Sequence, residues 1–317
     1  MAAAPASAST SALQTRARRL RALALITCAL SCLVVILSAC LRLSGAGLGC
    51  ADWPDCYGRV LSGLPSVPWQ AARLAHRVVA TLALLMGVLL VWRCRRPQPM
   101  QPAARLAGAL LALMLFLSVV GIWSADPRLA AVNFINLLGG LALVTFSWRL
   151  ALALDPARPA AHGEAGPLCR LAFAALALTV LLGGLIGARY AATACGTLPA
   201  CEGAWWPTAG WSALHPFVTL TGPAGPGDAG GVALHLLHRY AAVLTAALLI
   251  VVALRSPPPA RNVRRAALAA LALLLLEGLT GALTVASGFS LWLAVAHNLG
   301  AALLMAAAAS LMHSARQ

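Results

Sequence analysis

The sequence predicts an all-α integral membrane protein of eight transmembrane helices, arranged as two pseudo-symmetric four-helix bundles. Three observations predict it. The chain is 61% hydrophobic and only 10% charged over 317 residues. Its charges fall in short clusters between apolar runs of about 20 residues, the length a helix needs to cross a bilayer. A pattern of Cys, Pro and His-Arg residues then occurs twice, once in each half of the chain, as an internal repeat would give.

Runs rich in Leu, Ala and Val cover residues 22–41, 71–92, 102–123, 131–151, 170–188, 232–254, 266–286 and 291–312. Eight crossings place both termini on one side. All 23 basic residues are arginine and the net charge is +15, but most arginines flank apolar segments, which marks topology rather than nucleic-acid binding. Arg16, Arg18, Arg19 and Arg21 precede the first span, Arg93, Arg95 and Arg96 follow the second, and Arg255, Arg261, Arg264 and Arg265 lie between the sixth and seventh. Arg158 and Arg170 agree with that phase. The positive-inside rule makes these loops and both termini cytoplasmic, so the long loops 42–70 and 189–231 face outward.

These boundaries divide the chain into a cytoplasmic tail (1–21), a first four-helix half (22–151), a cytoplasmic linker (152–169), a second four-helix half (170–312) and a short cytoplasmic tail (313–317). The basic charge before the first span fits a cleaved signal peptide less well than a true span. Residues 22–41 are long enough to cross, and Cys40-Leu41-Arg42-Leu43 offers no small-residue cleavage site. Residues 1–14, rich in Ala and Ser, read as disordered.

Five of the nine cysteines, Cys28, Cys32, Cys40, Cys94 and Cys169, lie in or beside spans and read as small apolar side chains. The other four form pairs six positions apart in the outer loops: Cys50 with Cys56, and Cys195 with Cys201. Outside the cytoplasm a disulfide persists, and a short step through a Pro-containing turn brings two Cys together. Two intraloop disulfides are expected.

The loops Gly-Cys-Ala-Asp-Trp-Pro-Asp-Cys-Tyr-Gly (49–58) and Ala-Cys-Gly-Thr-Leu-Pro-Ala-Cys-Glu-Gly (194–203) match at Cys, Pro, Cys and Gly. After each comes a span with a His-Arg step near its outer end, His76-Arg77 and His238-Arg239. His297 follows His238 by 59 residues, whereas the equivalent step of 60 from His76 lands on Asn136. The local patterns agree, Asn136-Leu137-Leu138-Gly139 against His297-Asn298-Leu299-Gly300.

An imidazole inside a bilayer is costly without a partner, so each is a functional candidate. His238 and His297, at matched depth on two helices of one bundle, suit clamping an iron porphyrin from both faces. The bland alternative is an interhelical hydrogen bond. His235, one turn before His238, is the rival ligand. His162, His215 and His313 read as solvated loop or tail residues. Arg77 and Arg239 fit either pairing with porphyrin propionates or snorkelling to headgroups. Glu277, in Leu276-Glu277-Gly278-Leu279-Thr280-Gly281, is the only acid inside a predicted span, and its role is open.

At these residues the chain resembles the heme A synthase family of cytochrome-oxidase assembly, over nearly all of 22–312. The likeness is carried by Arg42-Leu43-Ser44-Gly45-Ala46-Gly47-Leu48, Asp52-Trp53-Pro54, the two His-Arg steps and Trp205-Trp206-Pro207. The resemblance implies oxidation of a heme O methyl group to a formyl group, giving heme A, by two hydroxylations and loss of water. It implies heme b held by His238 and His297 in the second half and substrate heme O in the first, where His76 is the candidate iron ligand and Asn136 the paired candidate site residue. Heme O synthase and an electron acceptor are the implied partners beside the lipid bilayer, in a bacterial plasma membrane. A homo-oligomer is compatible with the sequence.

Two positions depart from the family pattern. Asn136 stands where the family has a fourth-span His, and Arg73 where it has an acid one turn before the second-span His. Asn is a poor iron ligand, and Arg cannot act as a base. The competing reading is therefore a non-catalytic heme-binding or assembly protein on the same fold. A transporter built of repeats fits the architecture but leaves the Cys pairs and His-Arg steps unexplained.

Overall fold

A computed structural model describes residues 5–45, 67–126, 128–157, 165–222 and 224–316. Eight helices among these are long and apolar enough to cross a membrane: α1 (Pro5–Gly45), α2 (Val67–Arg95), α3 (Gln101–Val120), α4 (Ala130–Ala153), α5 (Pro167–Ala188), α6 (Ala229–Arg255), α7 (Arg261–Ala286) and α8 (Leu291–Ser314). The protein is an integral membrane protein. Ala and Leu supply helix propensity, and helices alone satisfy every backbone group within one segment in a lipid core. Intramembrane hydroxyls close on the carbonyl four residues back, as Ser31 does on Thr27 (2.8 Å) and Thr245 on Ala241 (2.7 Å).

Most helices overrun the predicted spans by a few residues, and at the two ends of the chain this changes how residues are placed. The Ala/Ser-rich segment expected to be disordered is helical from Pro5 onward, because extending a helix already nucleated in the span avoids the cost of nucleation and its alanines favour the helix. His313, expected in a solvated tail, lies in the last turn of α8 and is half-buried. Leu311 beside it is 1% exposed, so packing of this turn carries the helix past the expected boundary. Cys50, Cys56 and His162 lie outside the described residues, as does the whole connection between α1 and α2.

In the first half α1 packs on α2 and α4, and α3 packs on α2 and α4. In the second half α6 packs on α5 and α7, and α8 packs on α7 and, over a shorter length, on α5. Consequently α2 and α4 stand across a ring from each other, and so do α6 and α8. The halves meet through α4 on α8, α1 on α8 and α4 on α5. Polar ties stitch that seam: Trp148 Nε1 donates to Ser310 Oγ (2.7 Å), and Asn133 Nδ2 donates to the Ala188 carbonyl (3.3 Å). Large apolar side chains such as Leu85, Val243, Leu254 and Leu275 cover the outside, a surface suited to lipid rather than water.

At the end bearing the termini, Arg16 donates to the carbonyls of Arg93 (2.8 Å), Arg96 (2.6 Å) and Gln98 (2.9 Å), satisfying the free carbonyls that end α2. Arg21 pairs with Asp155 at 3.0 Å. At the opposite end the connection between α5 and α6 forms an ordered cap. It also reaches the first half, where Leu220 N donates to the Arg128 carbonyl (2.8 Å).

Candidate functional site

The cap between α5 and α6 is fixed by local chemistry. Cys195 and Cys201 are disulfide-bonded, with Cα atoms 5.2 Å apart. Inside the loop Glu202 accepts from Gly196 N (2.8 Å), Thr197 Oγ1 accepts from Glu202 N (2.8 Å), and Cys201 and Ala204 exchange backbone hydrogen bonds (2.9 and 2.8 Å). Glu202 and Gly203 take positive φ angles of 48° and 80°, a turn that Gly makes without a Cβ penalty. Asp228 caps α6, accepting from Gly231 N at 2.8 Å.

Arg239 joins this cap to α6. Its Nη1 donates to the carbonyls of Pro199 (2.8 Å) and Ala200 (3.3 Å), and its Nη2 to Thr197 O (3.0 Å) and Cys195 Sγ (3.1 Å). One turn of helix thus aims His238 inward and pins the disulfide loop above it. Tyr240 adds a second tie, donating to the Trp205 carbonyl and stacking on Trp206 with ring centroids 5.8 Å apart. The Trp-Trp-Pro motif is therefore tied to α6 through Tyr240.

His238 lies next to Arg239 on α6, facing α5. Its Nδ1 donates to the Thr179 carbonyl of α5 (2.9 Å), and its ring lies on Gly183, where an added Cβ would come within 2.9 Å of Cε1. On the opposed helix, His297 Nδ1 stands 3.0 Å from Glu277 Oε2 and 3.2 Å from Thr280 Oγ1, both on α7. Its ring lies on Gly281, with Cε1 3.4 Å from the Cβ an alanine would carry. The two sites follow one plan, in which a neighbouring helix offers an acceptor to Nδ1 and, four residues later, a glycine to make room for the ring. A neutral imidazole whose Nδ1–H is so engaged presents the Nε2 lone pair. This is how metal-ligating histidines are held.

His235 differs. Its Nε2 donates to the Ala191 carbonyl at 3.0 Å, tying α6 to the turn after α5. Of the two rivals on this face of α6, His238 is the one left with Nε2. His215 is exposed and packs edge-on against Phe217, ring centroids 5.5 Å apart. Among the described residues no three His, Cys, Asp or Glu gather into a set for a bare metal ion. Two opposed imidazoles could instead hold an iron whose remaining ligands come from a porphyrin.

In the first half, His76 on α2 and Asn136 on α4 occupy the corresponding helices and are half-buried. Arg73 and Arg77 are exposed. Arg42, at the end of α1, crosses to the second half, donating to the Gly187 carbonyl (3.1 Å) and to Asn298 Oδ1 (3.0 Å), next in sequence to His297. The sequence indicated the histidines, while Thr179, Gly183, Thr280, Gly281 and the role of Arg42 were missed. A usable signal existed for some of them: Thr179 to Gly183 and Glu277 to Gly281 share the four-residue spacing of one helix face.

Fold and site together define a polytopic membrane protein with paired intramembrane imidazoles beneath a disulfide-closed cap. A family model described as cytochrome oxidase assembly protein, COX15-CtaA, matches residues 21–74 and 71–309. The chain belongs to this family. It is 32% identical over 310 residues to the heme A synthase of Shewanella oneidensis, covering 88% of this chain and 92% of the relative. It is also 26% identical over 244 residues to the heme A synthase of Shouchella clausii, with 73% of each chain covered.

Proposed function

We propose that this protein is a heme A synthase, a membrane oxidoreductase that converts a methyl group of heme O to a formyl group through two hydroxylations and loss of water. Family membership and the near full-length likeness to a heme A synthase support the reaction. The observation that carries the site is the His238–His297 pair on opposed helices, each with Nδ1 anchored and Nε2 presented. When bound, heme b supplies a redox-active iron to the second half. His238 and His297 would hold it, with Thr179 and Glu277 orienting them and Arg239 and Tyr240 tying the cap to α6. Substrate heme O belongs to the first half, facing His76, with Arg77 near its propionates. Heme O synthase and an electron acceptor are the partners such a reaction needs, and both termini face the bacterial cytoplasm.

The second reading, a non-catalytic heme-binding protein, is favoured by Asn136 and Arg73, which replace the usual imidazole and carboxylate. Co-expression with a heme O synthase, followed by extraction and chromatography of total heme, separates the two. Heme A is expected. Unconverted heme O with one heme b per chain would move the assignment to the non-catalytic reading.

A further inference from the structure

Glu277 lies near the middle of α7, 7% exposed. A charged carboxylate well inside a spanning helix is costly unless it is partnered, and such groups are functional by default. Its ion-pair partner among the described residues is His297 Nδ1, at 3.0 Å. The fold makes deliberate space for this contact: an alanine Cβ at Gly300 would overlap the Glu277 carboxylate, so the side chain reaches its place because α8 carries glycine there. Thr280 helps from the next turn. Its hydroxyl donates to the Glu277 main-chain carbonyl (3.0 Å), leaving its oxygen to accept from His297 (3.2 Å).

The two imidazoles are therefore held unequally. His238 donates to a neutral backbone carbonyl, His297 to a carboxylate. The first half supplies an internal control. There Gly139 plays the part of Gly300, and the side chain that an added Cβ would meet is Leu117. Where α4 offers Asn136 instead of His, α3 offers Leu117 instead of Glu, so acid and imidazole are present together or absent together.

We propose that Glu277 is a positioning residue that acts on the heme through His297, fixing its Nδ1–H and giving it imidazolate character, and so setting a low reduction potential for the second-half heme. The inference rests on the bis-histidine reading above. A carboxylate hydrogen bond raises ligand basicity, and a more basic axial ligand with a nearby negative charge stabilises ferric iron, whose porphyrin complex carries a net positive charge. Hydrogen bonding around a heme is one of the levers on its potential.

The test is spectroelectrochemical titration of the full-length chain purified with heme b. Glu277→Gln keeps a low-spin spectrum and moves the midpoint potential to a more positive value. A variant with unchanged potential overturns the inference while leaving the heme assignment intact, whereas an unmodified chain without heme b fails the assignment itself. Should E277Q not accumulate, His297→Gly keeps Glu277 and accepts exogenous ligand. Imidazole, which retains an N–H for the carboxylate, is then expected to give a lower potential than 1-methylimidazole, which cannot donate. Equal shifts from the free-ligand values of the two ligands would overturn the inference.

Discussion

Each half sets four helices so that its second and fourth stand across from each other, and the chemistry between them differs. The second half lines its ring with His238 and His297, anchored by Thr179 and Glu277. The first half keeps His76 but sets Asn136 and Leu117 at the opposed positions. The change is concerted across two helices, α3 and α4 against α7 and α8. A single lost ligand would leave an orphaned carboxylate in the membrane, which is costly. The first half carries Leu117 there instead of an acid, so on the proposed reading His76 would be its one imidazole toward an iron. On the proposed reading a second imidazole would hold a resident heme more firmly, while a substrate heme has to leave, and the difference suits those two tasks.

The largest expected effect breaks the second half alone. His238→Ala or His297→Ala should abolish most of the low-spin heme b signal in purified protein, while Asn136→Ala should leave it intact. Loss of that signal in N136A to the same degree would mean that the ring containing α2 and α4 binds the low-spin heme, reversing the comparison.

Next in size is the glycine pair on α4 and α8. Gly300→Ala forces aside the Glu277 carboxylate, whereas Gly139→Ala meets the flexible Leu117 side chain. Overpacking of this kind costs roughly 1–3 kcal/mol. Both variants should lower thermal stability, but only Gly300→Ala should also alter the heme spectrum. Matching spectra would show that Gly300 serves packing alone.

The caps offer a third contrast. Cys195→Ser removes a short disulfide loop, for which the chain-entropy account gives about 2 kcal/mol, and removes the sulfur that accepts from Arg239. Thermal unfolding should shift downward, and unmodified protein treated with reductant should follow it. In the first half Cys50 and Cys56 carry the same expectation, and peptide mapping without reduction should find them linked. Free thiols at Cys50 and Cys56 would extend the difference between the halves to their caps.

Much of this was legible from composition and pattern. Long apolar runs fix helices in a membrane with little ambiguity, because no other open structure satisfies the backbone there. The paired Cys and the His-Arg steps survive as local spacing, so Cys195, Cys201, His238 and His297 could be named. What sequence spacing does not carry is contact between distant helices. Arg239 looked like a residue for propionates or headgroups, yet its donors go to the disulfide loop. Arg42 sat inside a recognised motif, but its partners Gly187 and Asn298 lie in the other half of the chain. Glu277 was conspicuous as an acid in a span, and only the approach of α8 at Gly300 identifies the atom it serves.

The smallest expected effect is also the most informative about the first half. Asn136→His restores an imidazole at the position opposed to His76, and in a protein loaded with a heme in that half it should shift part of the high-spin population to low-spin. The shift is expected to be incomplete, because the neighbouring side chain is Leu117 and offers no acceptor for Nδ1–H, so the ring is free to turn away from the iron. Pairing it with Leu117→Gln supplies an acceptor without placing a charge in the membrane, and the low-spin fraction should then rise. Optical and electron paramagnetic resonance spectra of the single and double variants measure this directly. Complete conversion by N136H alone would show that His76 and residue 136 are already fixed at ligating distance and that the acceptor on α3 is dispensable. An unchanged single heme in every variant would show that the first half holds no heme under those conditions, leaving the second half as the protein's one heme site.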